Sequence, residues 1–169
     1  DWSSDVCSSD LIDEILKRPL KTNFDMAVLI STLNAVCRYL NITDKSVHCK
    51  DEEPEKCSKE LVDYIRENYN NPKIALIGLQ PAMLQRLSEN FNVRVVDLDR
   101  YKIGKVKFGI EVENAEDKTE DLLNWCDIIV STGSTITNNT IEQFLNKKPV
   151  VFFGTTISGT AKLMNLNRF

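Results

Sequence analysis

The chain has 169 residues, 42% of them hydrophobic, with a formal net charge of −4 and five cysteines. This length holds one domain with a real core, and the acidic balance leaves no electrostatic footprint for nucleic acid. No run approaches the roughly 20 apolar residues that a membrane span needs.

Residues 1–11 have no apolar period and resemble a translated sequencing adaptor, so they are set aside from fold reasoning as a non-native artefact. Removing Asp1, Asp5 and Asp10 takes the net charge from −4 to −1, and removing Cys7 leaves Cys37, Cys49, Cys57 and Cys126. Four scattered cysteines without CxxC pairs read as reduced thiols in a cytoplasmic protein. On this reading the natural start of the chain is missing and the product is truncated.

Residues 11–20 form a short amphipathic piece ended by Pro19. Over residues 24–40, Met26, Leu29, Ile30, Leu33, Val36, Cys37 and Leu40 recur at helical spacing, and Asn23 or Asp25 is placed to cap that helix. A polar stretch follows with the one histidine, His48. Pro54 then suits a helix first turn, and Cys57, Leu61, Ile65 and Tyr69 make one side of a helix that Asn70-Asn71-Pro72 stops. The expected division is therefore 12–70, a helical remnant of a truncated N-terminal region, and 71–169, a ligand-binding domain.

After Pro72 the pattern alternates. Residues 74–77 form a buried strand and 82–90 a helix with Pro81 at its start. Residues 93–96 are a second strand ending at Asp97. Residues 105–113 alternate, with Val106, Phe108, Ile110 and Val112 on one face, as a half-exposed strand or hairpin arm. A short helix over 119–125 precedes a third strand, 128–130. A helix over 141–145 follows, with Asn139 as its cap and Glu142 as the capping-box partner. Residues 150–153 make the fourth strand and 159–166 the last helix. Repeated strand–helix alternation predicts an α/β fold: a Rossmann-like, open, mostly parallel sheet with helices on both faces.

In a parallel sheet the turns at 78–81, 132–135 and 154–156 share one edge, each leading into a helix start with free N–H groups. Gly78, Gln80 and Pro81 come from the first turn, and Gly133, Ser134 and Thr135 from the second. Asn138 and Thr140 follow the second, while Gly154, Thr155 and Thr156 make the third. Together they form a polar cup for an anionic or metal-bound small molecule. Taken singly, such residues simply build turns and caps. Asp97 sits where a ribose-binding acid would be, but Gly78-Leu79-Gln80-Pro81 is not G-x-G-x-x-G. An enzyme using an adenosyl or nucleotide cofactor is therefore the alternative function. No P-loop is present. His48, Cys49 and Cys57 are the metal-type candidates, because thiolate and imidazole suit transition metals; their spacing matches no standard finger, and it favours a solvated loop capping a helix, with Cys57 in that helix's apolar stripe. Cys37 and Cys126 fall in apolar patterns and read as core. Glu111 and Glu113 read as exposed, and could reach the cup if their arm folds over it.

Several segments resemble one family. Residues 77–84, Asp97-Leu98-Asp99, residues 103–109, Ser131-Thr132-Gly133-Ser134-Thr135 with Asn138-Asn139-Thr140, and residues 153–159 are similar to the Rossmann-like domain of a family named for heavy-metal chelation. The resemblance covers residues 71–169. It implies metal or metal-chelate binding, with a transition-metal ion as the cofactor, and a preceding domain similar to the enolase N-terminal fold. The expected partners are a small-molecule or metal-chelate ligand and, as a further option, a second copy of the chain, with no nucleic acid and no membrane.

Overall fold

The computed structural model describes residues 8–44 and 53–169. Three helices lead: α1 (Ser8–Lys17), α2 (Asn23–Tyr39) and α3 (Glu53–Tyr69). The cap of α2 is Thr22, one residue before the expected Asn23. Thr22 accepts from the Asp25 N–H while the Asp25 carboxylate accepts from the Thr22 N–H, a reciprocal pair that satisfies two orphan donors. Asp25 is thus the third helical residue rather than the cap.

The alternation then unfolds as expected: β1 (Lys73–Ile77), α4 (Pro81–Ser88), β2 (Asn92–Asp97), β3 (Val106–Lys107), β4 (Ile110–Asn114), α5 (Ala115–Trp125), β5 (Ile128–Thr132), α6 (Ser134–Thr137), β6 (Val150–Phe153) and α7 (Ser158–Leu163). The six strands form one sheet in the order β3-β4-β2-β1-β5-β6. Every pairing is parallel except β3 with β4. The α/β class and the mostly parallel sheet with helices on both faces follow directly.

Strand parity assigns the two faces. Ile74, Leu76, Val93, Val95, Ile128, Val130, Val151 and Phe153 pack under α3 and α4. Ala75, Ile77, Val96 and Ile129 face α5 with Cys126 and Phe144. Phe152 turns to that second face as well, where Ile30 of α2, Ile136 of α6 and Ala161 of α7 cover it. Cys37 and Cys126 are buried, as their patterns suggested, and burial pushes the Cys126 thiol pKa up. The core runs across the boundary placed at 70–72, because Leu61, Val62 and Ile65 of α3 share one cluster with β1 and β2.

Three local expectations are corrected. Residues 105–113 do not alternate as one arm: Phe108 and Gly109 both take positive φ (51° and 79°), turning the chain into a two-residue hairpin. The helix expected over 141–145 is a single 3-10 turn, Ile141–Gln143, with no side-chain cap. Asn139 takes left-handed φ (60°), which ends α6 instead of starting a helix.

Asn34 of α2 joins the leading helices to the sheet. Its amide nitrogen donates to Thr156 O at 2.7 Å and its oxygen accepts from the Gly159 N–H at 2.7 Å. A capping bond supplied by a residue more than a hundred positions away closes the start of α7. Asn34→Ala is expected to lose about 1–2 kcal/mol, since it leaves a part-buried helix-start N–H without its acceptor; urea unfolding measures this.

Candidate functional site

The strand order reverses at the centre. From β1 the chain winds out through β2 and β4, then returns to β5 and winds the other way to β6. The crevice between the carboxyl ends of β1 and β5 is where ligands settle in sheets of this kind. Gly78, Gly133 and Gly154 all follow carboxyl ends of parallel strands, so the three turns do share one rim.

At β1, Gly78 takes φ +85°, and its N–H donates to Val96 O at 2.9 Å. A Cβ there would stand 2.6 Å from Thr132 Cγ2, so only glycine lets the β1 and β5 ends approach this closely. Gln80 has its side-chain oxygen committed to the helix start. Its side-chain oxygen accepts from the Met83 N–H at 2.6 Å and closes the start of α4, with Pro81 at the first helical position.

Asp97 has a structural task. One carboxylate oxygen accepts from the Leu79 N–H (2.7 Å) and Lys102 Nζ (3.1 Å), the other from the Asp99 N–H (2.9 Å). Burial alone would raise its pKa; the Asp99 and Leu79 N–H groups and the Lys102 ammonium outweigh it and hold the carboxyl below its ordinary range. The carboxylate pins the β1 turn, and both of its oxygens are occupied.

The β5 turn divides the rim. Thr135 Oγ1 donates to Thr132 O at 2.9 Å, folding the hydroxyl back on the turn. The hydrogen-bonding pattern orients the Asn138 amide with its nitrogen inward, donating to Thr135 O at 2.9 Å and Thr140 Oγ1 at 2.7 Å. Thr135, Asn138 and Thr140 then line a cavity of about 690 Å³ on the α5 side, together with Gly78 and Asp97. Its floor is apolar, from Ile77, Val96, Leu123 and Phe144; Glu116 and Glu120 of α5 stand on one wall, Gln143 and Lys147 on the other. Ser134, Thr155 and Thr156 line a separate cleft of about 550 Å³ against α2. Gly133 and Gly154 line neither. A Cβ on Gly133 would meet Ile157 N at 2.8 Å, and the Gly154 carbonyl accepts from Arg168 Nε at 3.2 Å. The single expected cup is therefore two recesses on either side of the 133–137 turn.

Sequence reasoning did not pick out Glu116, Glu120, Gln143 and Lys147. The four-residue spacing of Glu116 and Glu120 was available as a signal, since it places both on one helix face. Glu111 and Glu113 do not reach the rim. Glu113 forms a bidentate pair with Arg94 (2.8 and 2.6 Å) on the sheet, and Glu111 is exposed on the hairpin strand. His48 and Cys49 lie outside the described residues. Cys57 is half-buried on α3, and among the described residues no three His, Cys, Asp or Glu side chains gather as metal ligands.

A family model described as "Putative heavy-metal chelation" matches residues 60–165, more than half of the chain. The chain belongs to this family, DUF364. Two solved DUF364 proteins of unknown function resemble it. One, from Pyrococcus horikoshii, aligns at TM-score 0.62 and 18% identity; the other, from Desulfitobacterium hafniense DCB-2, at TM-score 0.55 and 12% identity. Each alignment covers 92% of this chain and 58% of the other, so the chain spans a little over half the length of these relatives. At such identity the likeness shows the fold. No curated protein matches.

The first cavity of this DUF364 chain offers hydroxyls, amides and carboxylates, with no thiolate or imidazole among its lining residues. Polar groups limited to hydroxyls, amides, carboxylates and one ammonium do not fit a bare heavy-metal ion, which favours sulfur and imidazole.

Proposed function

We propose that this DUF364 chain binds a small metal chelate in the cavity at the β1–β5 switch point. One observation carries the reading: a recess of about 690 Å³ with an apolar floor and converging polar walls lies where the strand order reverses. That volume suits a ligand of several rings or arms. Two carboxylates, Glu116 and Glu120, line it against one ammonium, Lys147, while the Asp97 carboxylate is already paired with Lys102. This balance favours a ligand that carries positive charge over a bare anion. The apolar floor and the amides of Asn138 and Gln143 would hold the organic part. A bare heavy-metal ion would instead call on His48, Cys49 and Cys57.

Calorimetric titration with a cationic nickel–ethylenediamine chelate, and with nickel ion alone, tests the reading. Asn138→Ala and Glu120→Gln are each expected to weaken chelate binding at least tenfold while cooperative unfolding is retained. Unchanged affinity in both variants refutes it. So does a loss of binding confined to a Cys57→Ser variant.

A further inference from the structure

The second recess has the opposite chemistry to the first. It is a cleft of about 550 Å³ between α2, α6 and the 155–158 turn. Three segments line it: α2 with Ser31, α6 with Ser134 and Thr137, and residues 155–158 after β6. The Ser31, Thr137 and Ser158 hydroxyls donate to Val28 O, Ser134 O and Asn34 Oδ1, which leaves the Ser134 and Thr156 hydroxyls to donate to a guest. Arg38 is its one charged lining residue, and no carboxylate lines it. The Arg38 guanidinium is exposed and forms no ion pair among the described residues. The backbone does not supply the attraction, because Asn34 already occupies the Gly159 N–H at the start of α7.

We infer that this cleft is an oxyanion site for the phosphate group of a small molecule. A guanidinium presents several donors in a fixed fork that matches phosphate oxygens in pairs. The Ser134 and Thr156 hydroxyls, on two further segments, suit the remaining oxygens of a tetrahedral group better than those of a planar carboxylate. Arg38 also sits in the last turn of α2, where a cation complements the helix dipole; that role alone would affect stability but not phosphate affinity. The two recesses share only the 133–137 turn as a wall, so the site stands whether or not the first cavity takes a chelate.

The test uses inorganic phosphate in a chloride background, followed by amide NMR. Saturable shifts are expected at Ser134, Thr137 and Thr156, with Asn138 and Glu120 unmoved. Arg38→Gln is expected to weaken phosphate binding at least fivefold, with only a small loss of stability in chloride from the missing helix-end cation. Thr156→Val is expected to weaken it without touching the guanidinium. Acetate is expected to bind more weakly than phosphate. Equal phosphate affinity in Arg38→Gln and the parent protein overturns the assignment. So does the absence of saturable shifts at the cleft, or stronger binding of acetate.

Discussion

Replacing Gly133 with alanine is expected to lower the melting temperature by about 2–12 °C and to weaken both recesses at once. Gly133 lies at an ordinary φ of −61°, so backbone strain plays no part. The cost is steric. The new methyl would stand 2.8 Å from both Ile157 N and Ile157 Cβ, and Ile157 is fully buried. A flexible side-chain tip could swing aside, but a backbone nitrogen in a packed turn cannot, so the β5 and β6 turns must separate. Overpacking of this kind costs about 1–3 kcal/mol, and each kcal/mol moves the midpoint of a domain this size by about 2–4 °C. Separation also moves Thr135 relative to Asn138 on one side and Ser134 relative to Thr155 on the other. Gly154→Ala is the control. A Cβ there meets nothing within 4 Å, so only its φ of +94° opposes the change, at about 1–2 kcal/mol and without steric displacement of the turn. Thermal melts of the two variants, with phosphate and chelate titrations, check the contrast; a Gly133→Ala protein melting within about 1 °C of the parent would refute the steric account.

The second large effect concerns Asp97. Asp97→Asn keeps the shape but places an amide nitrogen against at least one of the donors from Leu79, Asp99 and Lys102. Losing charge-assisted bonds at a nearly buried position is expected to cost about 2 kcal/mol at pH 7. The pH dependence has a definite sign. The folded carboxyl is held below its ordinary value, so the unfolded chain takes up the proton first as pH falls. The stabilisation is complete above about pH 4, the ordinary aspartate value, and is lost as pH falls through the lower folded value. The gap between the parent and the Asp97→Asn variant should therefore be constant from pH 7 to about pH 5 and narrow below about pH 4. Urea unfolding across that range measures it, and a gap that widens toward acid would rule the account out. The bonds to the Leu79 and Asp99 N–H groups cannot both be kept in this variant, so the β1 side of the first cavity should loosen with it.

The sheet was legible because buried parallel strands are continuous apolar runs. Ile74–Ile77, Ile128–Val130 and Val150–Phe153 could hardly be anything else once helix-length segments separated them. The rim followed from the same alternation, since parallel strands put all their trailing turns on one side. Residues 134–145 were less readable. Ile136, Ile141 and Leu145 suggest helical order, yet Asn139 adopts left-handed geometry and splits the segment into two short turns. Composition could not reveal that choice, because Ile136 and Ile141 join one cluster with Phe152 from two separate turns, a tertiary contact.

The residues by themselves determined the α/β class, the order of strands and turns, and the hydroxyl-rich rim, all of which arise from local periodicity and short-range turn chemistry. Only the tertiary structure decided that the rim is two recesses of opposite charge character. Where α5 brings Glu116 and Glu120, and where α2 brings Asn34 and Arg38, depends on how those helices seat on the sheet. That seating is set by side-chain volumes meeting across long stretches of chain, and no window of neighbouring residues contains it.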